Sequence, residues 1–242
     1  MEDVTADRSF DDFVPAPNQA DDPDLYEVEN RAIDPKGHLW HALIEAAPWS
    51  GRTLVDLGCG TGYWLPHYRE AGEVIGVEPD ERLLDAARAR PGGAQVLHGS
   101  AEHLPLGDDS VDVVHARFAY FFPHERFDPG PGLDEVARVL RPGGRLVVID
   151  NDTERGEFAE LLRRSDWAEE QGRTPFASRW WAERGAETTP VMSSWSFDDA
   201  ATCEAVLRME FPGHVVDEWW QEHGPTVELS YGYLLHVWRA PG

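Results

Sequence analysis

The residues best suited to chemistry begin at Val55-Asp56-Leu57-Gly58-Cys59-Gly60-Thr61-Gly62. A short apolar run carries the chain into a turn holding Gly58, Gly60 and Gly62. Glycine is needed where backbone passes close to a ligand or takes positive φ, so this turn can let a small molecule lie against main chain. The spacing is not that of a dinucleotide loop. In G-x-G-x-x-G the third glycine lets a helix pack on its strand, and here that position is Tyr63. Two further apolar runs end in polar residues, His115-Ala116-Arg117-Phe118-Ala119-Tyr120 and Asp150-Asn151-Asp152. His115 suits a general base or an orienting donor, and is equally well read as a core histidine bonded to backbone. Tyr120 is the second catalytic candidate. Arg117 suits a substrate carboxylate or aromatic ring, or the lining of a cofactor pocket, and Asn151 is a substrate-facing polar residue.

These residues must be held by a scaffold, and the hydrophobic pattern supplies one. Thr53–Leu57, Glu73–Glu78, Gln95–His98, Val111–Ala116 and Arg145–Asp150 read as buried strands. Helical segments lie between them: Leu25–Ala47, Leu65–Ala71, a helix capped by Asp80, and Leu133–Leu140. Short apolar strands alternating with helices predict a parallel sheet covered on both faces, wound in both directions by right-handed crossovers. After Asp150 the rhythm changes. Glu154–Arg184 reads as a long polar helical stretch, Thr188–Phe197 as a strand, Asp198–Phe211 as a helix and Val227–Arg239 as a final strand.

The order of these motifs resembles that of the class I S-adenosylmethionine-dependent methyltransferases. Their first motif is an acid followed by G-x-G-x-G, matched here by Asp56 to Gly62. Gly76-Val77-Glu78-Pro79-Asp80 is similar to the end of their second strand, where an acid accepts hydrogen bonds from ribose hydroxyls. Gly99-Ser100-Ala101-Glu102-His103-Leu104-Pro105 resembles the loop that holds the adenine edge, and Leu140-Arg141-Pro142-Gly143-Gly144 the turn before the fifth strand.

The resemblance implies a Rossmann-like α/β doubly wound sandwich with a mostly parallel seven-stranded sheet and an antiparallel last strand. It implies S-adenosylmethionine as cofactor, contacted by Asp56, Gly58, Cys59, Gly60, Gly62, Glu78, Pro79, Ser100, Ala101, Glu102 and Ala116. The chemistry implied is methyl transfer to O, N or C of a small molecule. The alternatives are a non-methylating reaction on the same cofactor, or a nucleoside sensor. One departure stands out: many relatives carry Asp at the position of Ser100, where it accepts from the adenine amino group. Either the Ser100 hydroxyl or Glu102 takes over that contact, or the amino group meets backbone or water.

Asp150-Asn151 is similar to the pair of metal-dependent catechol methyltransferases. The second Asp of that site is missing, since the matching stretch reads His115-Ala116-Arg117. A hard divalent cation wants several oxygen ligands, so no metal is expected.

Composition narrows the partners. The 242 residues carry a formal net charge of -24, which opposes binding to nucleic-acid backbone and to anionic membrane surfaces. No apolar run approaches the ~20 residues that span a bilayer, and the acidic N-terminus is unlike a secretory signal, so a cytoplasmic location is expected. Residues 1–24 hold eight acids and one Arg. They read as an acidic tail or, given Phe10 and Phe13, as a lid over a pocket, with 25–242 as the cofactor-binding domain. Cys59 and Cys203 are too few for a disulfide framework. Ten Trp are present; Trp64, just past the glycine turn, is placed at the substrate chamber. In the doublets Trp180-Trp181 and Trp219-Trp220 one ring is expected in the core and the other at an edge or pocket, because helix neighbours lie ~100° apart. A hydrophobic or aromatic small-molecule acceptor fits this composition.

Overall fold

The computed structural model describes residues 10–15, 22–165 and 174–241. Seven strands form one sheet in the order β3-β2-β1-β4-β5-β7-β6. They are β1 (Thr53–Leu57), β2 (Glu73–Glu78), β3 (Gln95–His98), β4 (Val111–Arg117), β5 (Leu140–Asn151), β6 (Glu187–Ser196) and β7 (Glu228–Arg239). β7 runs antiparallel to both neighbours, and the pairings among β1 to β5 are parallel. This is the Rossmann-like sandwich expected from the sequence. The chain winds outward from β1 through β2 to β3, then restarts at β4 on the other side. The carboxyl ends of β1 and β4 therefore splay apart and leave the crevice where ligands of open α/β sheets bind.

Side chains that alternate along the strands feed two cores. Leu54, Val113, Val147 and Ile149 face one way, packing with Leu39, Leu43, Trp195 and Trp219. Val55, Leu57, Val114, Ala116, Leu146 and Val148 face the other, against Leu133, Val136 and Trp181. His115 falls in register with Asp56 on β1, so strand alternation puts it on the first of these faces, not at the strand's open end.

The helices differ from expectation in three places. Leu25–Ala47 is two helices, α1 (Pro23–Ala32) and α2 (His38–Ala46). The break is made by Asp34 at φ 55 and Gly37 at φ 72, and the Asp34 carboxylate accepts from Leu39 N–H (3.1 Å) and Trp40 N–H (2.9 Å) at the start of α2. The segment after the glycine turn is one 3₁₀ turn, Leu65–Tyr68, rather than a helix to Ala71. There the Tyr68 ring is buried against Trp40 and Trp49, and Ala71 bridges to Ser50, which leaves no length for further turns. Among the described residues, Glu154–Arg184 holds α5 (Glu157–Arg164) and α6 (Thr174–Glu183), and 166–173 lie outside them. The other helices are α3 (Glu81–Arg88), α4 (Gly130–Val139), α7 (Ala200–Glu210) and α8 (Gly213–His223).

The Trp doublets split unevenly. Trp219 is buried and Trp220 half-buried, but Trp180 and Trp181 are both buried. Trp180 is the edge member by chemistry: its indole N–H donates to Asp128 (2.8 Å), and the Arg184 guanidinium lies 3.7 Å over its ring. Trp195 is fully enclosed between Phe158 (4.9 Å) and Tyr231 (5.1 Å). Trp195→Ala is expected to cost about 3–5 kcal/mol of unfolding free energy. Urea denaturation followed by far-ultraviolet circular dichroism checks this, since nine other Trp confound fluorescence.

Candidate active site

The glycine turn leaves β1 at Gly58 and is stitched to the end of β2. Gly58 and Cys59 N–H both donate to the Val77 carbonyl (2.8 and 3.1 Å), and Gly62 N–H donates to the Cys59 carbonyl (2.9 Å). Gly58, Gly60 and Gly62 stand at φ 70, 57 and 73, where other residues are strained. Two of them are also pinned by close packing. A Cβ on Gly58 would lie 2.5 Å from the Ala119 Cβ, and one on Gly62 would lie 2.9 Å from the Ala87 Cα on α3. The Cys59 side chain points away from the turn, into a small cluster with Leu65, Leu84 and Ala87, so Cys59 has only backbone to offer a ligand.

Glu78 lies beneath this turn. Its Oε2 accepts from Gly60 N–H (2.7 Å) and its Oε1 from Asp80 N–H (2.9 Å). Burial pushes its pKa up to about 7 against the pull of those two donors. Capping of α3 falls instead to Asp80, which accepts from Arg82 N–H (3.0 Å). Asp56 is likewise buried and pushed up to about 7, with Arg117 pulling it down. A strap from α1 holds the far side of the turn. Arg90 donates to the Thr61 carbonyl (2.9 Å) and makes a two-pronged pair with Glu27 (3.0 and 2.7 Å).

At the end of β4, Phe118 (φ 47) and Tyr120 (φ 56) are non-glycine residues with positive φ, a conformation that is costly and tends to collect at functional sites. Arg117 lies 4.6 Å over the Trp64 ring and donates to Asn30 Oδ1 on α1 (3.1 Å). Trp64 is thus 7% exposed and lies beneath the guanidinium. Close by, Glu29 is buried, and burial and Glu210 hold its carboxyl well above the usual range. Asn151 accepts from the Tyr231 hydroxyl, and Tyr231 stacks on Tyr233 and Phe158. Asp150 is pushed up to about 7 by burial. Asp152 accepts from Glu154 N–H (2.9 Å) and Arg155 N–H (3.3 Å) and thereby closes the turn after β5.

The remaining sequence candidates lie around the loop after β3 or in the core. Ser100 and Ala101 are buried, and Ser100 Oγ pairs with His103 Nδ1 (3.3 Å). The Pro79 carbonyl meets His98 Nε2 (3.1 Å). The Tyr120 hydroxyl donates to Glu102 Oε1 (2.7 Å) and accepts from Gly132 N–H (3.1 Å), so Tyr120 joins this loop rather than the Arg117 cluster. Burial and Glu102 push its pKa up. His115 is 0% exposed. Its Nδ1 pairs with the Tyr68 hydroxyl (3.3 Å), its ring packs on Trp49 (5.4 Å), and burial pushes its pKa down to about 3. That geometry is a core histidine's, bonded to a side-chain hydroxyl rather than to the backbone group expected, with no opening toward the crevice. Ala116 is wholly buried beside it, in the opposite core.

Asn30, Glu29 and Tyr231 reach the site from α1 and β7 without any local signal in the sequence. No local pattern marks them, since Asn30 and its partner Arg117 are 87 positions apart. The Glu27–Arg90 strap is equally unmarked.

Residues 55–148 match the model of a family described as "Methyltransferase domain". That span runs from the middle of β1 through the glycine turn to β5. Over residues 55–148 the chain is therefore similar to a methyltransferase domain.

The chain is 39% identical over 127 residues to an uncharacterized methyltransferase of Mycobacterium bovis, covering 52% of this chain and 49% of that one. It is 35% identical over 121 residues to a demethylmenaquinone methyltransferase of Clavibacter sepedonicus, covering 48% of each. The chain thus spans about half the length of the curated relatives it matches. Among solved structures, a complex between a Haloferax volcanii methyltransferase activator and the protein described as its methyltransferase superposes with TM-score 0.60 at 25% identity, covering 95% of this chain and 100% of that one. An Aquifex aeolicus SAM-dependent methyltransferase superposes with TM-score 0.52 at 19% identity, covering 88% and 98%.

In the glycine turn, Gly58→Ala is expected to displace the backbone, since the new methyl meets Ala119 at a strained φ. The expected cost is about 1–3 kcal/mol. Thermal unfolding should register that cost, and amide hydrogen exchange should show faster exchange at Gly58 to Gly62 than in wild type.

Proposed function

We propose that the chain catalyses S-adenosylmethionine-dependent methyl transfer to O, N or C of a small acceptor with hydrophobic or aromatic surface. The observation that carries this reading is the glycine turn held against Glu78. Three positive-φ glycines leave main chain bare, and the carboxylate beneath them is only half used. A carboxylate offers about four lone-pair sites, and Glu78 spends two on the N–H groups of Gly60 and Asp80. The remaining two suit a pair of ribose hydroxyls.

In this reading the backbone of Gly58 to Gly62, with Asp56 behind it, takes the amino-acid end of the cofactor. Pro79 lies beside the ribose, and Ser100, Ala101 and Glu102 lie along the adenine, with Ala116 in the floor. When bound, the sulfonium supplies an electrophilic methyl group. The protein's task is then to hold the acceptor in line, because positioning supplies much of the acceleration.

Arg117 and Asn151 orient the acceptor, with Phe118 and Tyr231 as aromatic wall. Trp64 acts through Arg117, whose guanidinium it supports. The enclosed His115 takes no proton step here, and Tyr120 positions the adenine-side loop. One relative is named a demethylmenaquinone methyltransferase, a name compatible with a hydrophobic acceptor here.

Isothermal titration with S-adenosylhomocysteine tests the cofactor. Turnover with a panel of phenolic and quinol acceptors tests the chemistry: methylated product must appear with an equal amount of S-adenosylhomocysteine. Binding without any product over such a panel would count against methyl transfer, and no binding would remove the cofactor assignment.

The raised carboxyls add a pH dependence. Glu78 and Asp56 hold protons up to about pH 7 in the free protein, while a ligand with hydroxyl donors and an ammonium group favours their ionised forms. Binding therefore releases protons, and affinity falls as pH drops below 7. A decrease of about tenfold per group is expected one pH unit below the pKa. Titrations in buffers of different ionisation enthalpy measure the released protons directly.

A further inference from the structure

We infer that Asp12, from the acidic N-terminal segment, is the carboxylate that accepts the adenine amino group of the cofactor. The inference rests on the cofactor reading above and goes beyond it. The adenine-side loop has no acid at Ser100. Of its two candidate acceptors, Ser100 Oγ pairs with His103, and Glu102 is turned toward Tyr120, whose hydroxyl donates to its Oε1.

Asp12 arrives at this loop from 90 residues away. Its Oδ2 accepts from Glu102 N–H (3.1 Å), and its side chain is only 4% exposed. Among the described residues its Oδ1 is buried with no hydrogen-bond partner, and His103 Nδ1 lies 3.9 Å away. Phe10 holds the segment down, with its ring 5.0 Å from that of His98 and 6.0 Å from that of His103.

A buried carboxylate oxygen with no partner is expensive, so this one calls for a donor. An exocyclic amino group, with two N–H donors on a flat ring edge, is a donor of the right kind. Residues 10–15 would then rest against the loop after β3, with their contact completed by the base that Asp12 reads. Adenine would be distinguished from other purines by a residue outside the glycine-turn core.

The test is a binding cycle, read by isothermal titration with two probes. They are S-adenosylhomocysteine and its analogue with hydrogen in place of the 6-amino group. Wild type should prefer the amino form by about tenfold or more, as expected for a hydrogen bond to a charged group. Asp12→Asn keeps an oxygen for Glu102 N–H but turns an N–H₂ donor toward the base. Its preference should fall below about twofold, with affinity for the 6-hydrogen analogue changed far less.

Asp12→Ala should likewise erase the preference. Circular dichroism confirms folding of each variant, and the ratio of affinities is insensitive to a general loss of binding. An Asp12→Asn protein that discriminates as wild type does would overturn the inference, leaving Asp12 as a cap for Glu102. Failure of wild type to bind either probe would instead remove the cofactor reading on which it rests.

Discussion

The bond from Gly60 N–H to the buried Glu78 carboxylate is the constraint on which the rest of the site depends. A turn of three glycines has little conformational preference of its own, and left free it would sample many shapes. Glu78 selects one, because its carboxylate is buried by the sheet and must find donors. The nearest donors are main-chain N–H groups on the turn and at the start of α3. Burial and donors pull its pKa in opposite directions. The group therefore stays near neutrality, able to respond to a ligand that brings hydroxyl donors.

The other side of the crevice follows the same logic with a cation at its centre. Arg117 leaves β4 with Trp64 beneath it and Asn30 beside it. It also bears on Asp56, Glu29 and Tyr26. One guanidinium thus offsets several buried acids in a strongly acidic chain. The positive-φ residues Phe118 and Tyr120 turn the chain away after β4, sending the Phe118 ring to Tyr231 and Tyr233 and the Tyr120 hydroxyl to Glu102. That division separates an aromatic side of the crevice from the polar loop after β3.

Much of this was legible in the sequence where the signal is local. The strand runs, the glycine spacing and the acid closing β2 are patterns of a few neighbouring residues. They located β1 to β5 and the turn between β1 and the 3₁₀ segment. Local patterns misled where tertiary contacts decided. The apolar spacing of Leu25–Ala47 looked like one helix, but the Asp34 carboxylate and two positive-φ residues break it. His115 looked poised at a strand end, yet strand alternation turned its ring into a core of Tyr68 and Trp49. Trp64 sits next to the glycine turn, as its position in the chain dictates, but Arg117 covers its face.

By itself the sequence determined the fold class and the existence of a glycine turn at the end of the first strand. Both follow from the backbone freedom of glycine and the period of apolar residues, which need no distant partner. Only the tertiary structure decided which side chains share the crevice. Asn30, Tyr231, Glu27 and Asp12 reach it from elements far away in the chain. Burial then fixed their behaviour: it pushed Glu78, Asp56 and Asp150 up, pushed His115 down, and left one Asp12 oxygen facing no partner. The dielectric around a group and the donors within reach of it are properties of packing, and packing is set by residues that the local pattern does not contain.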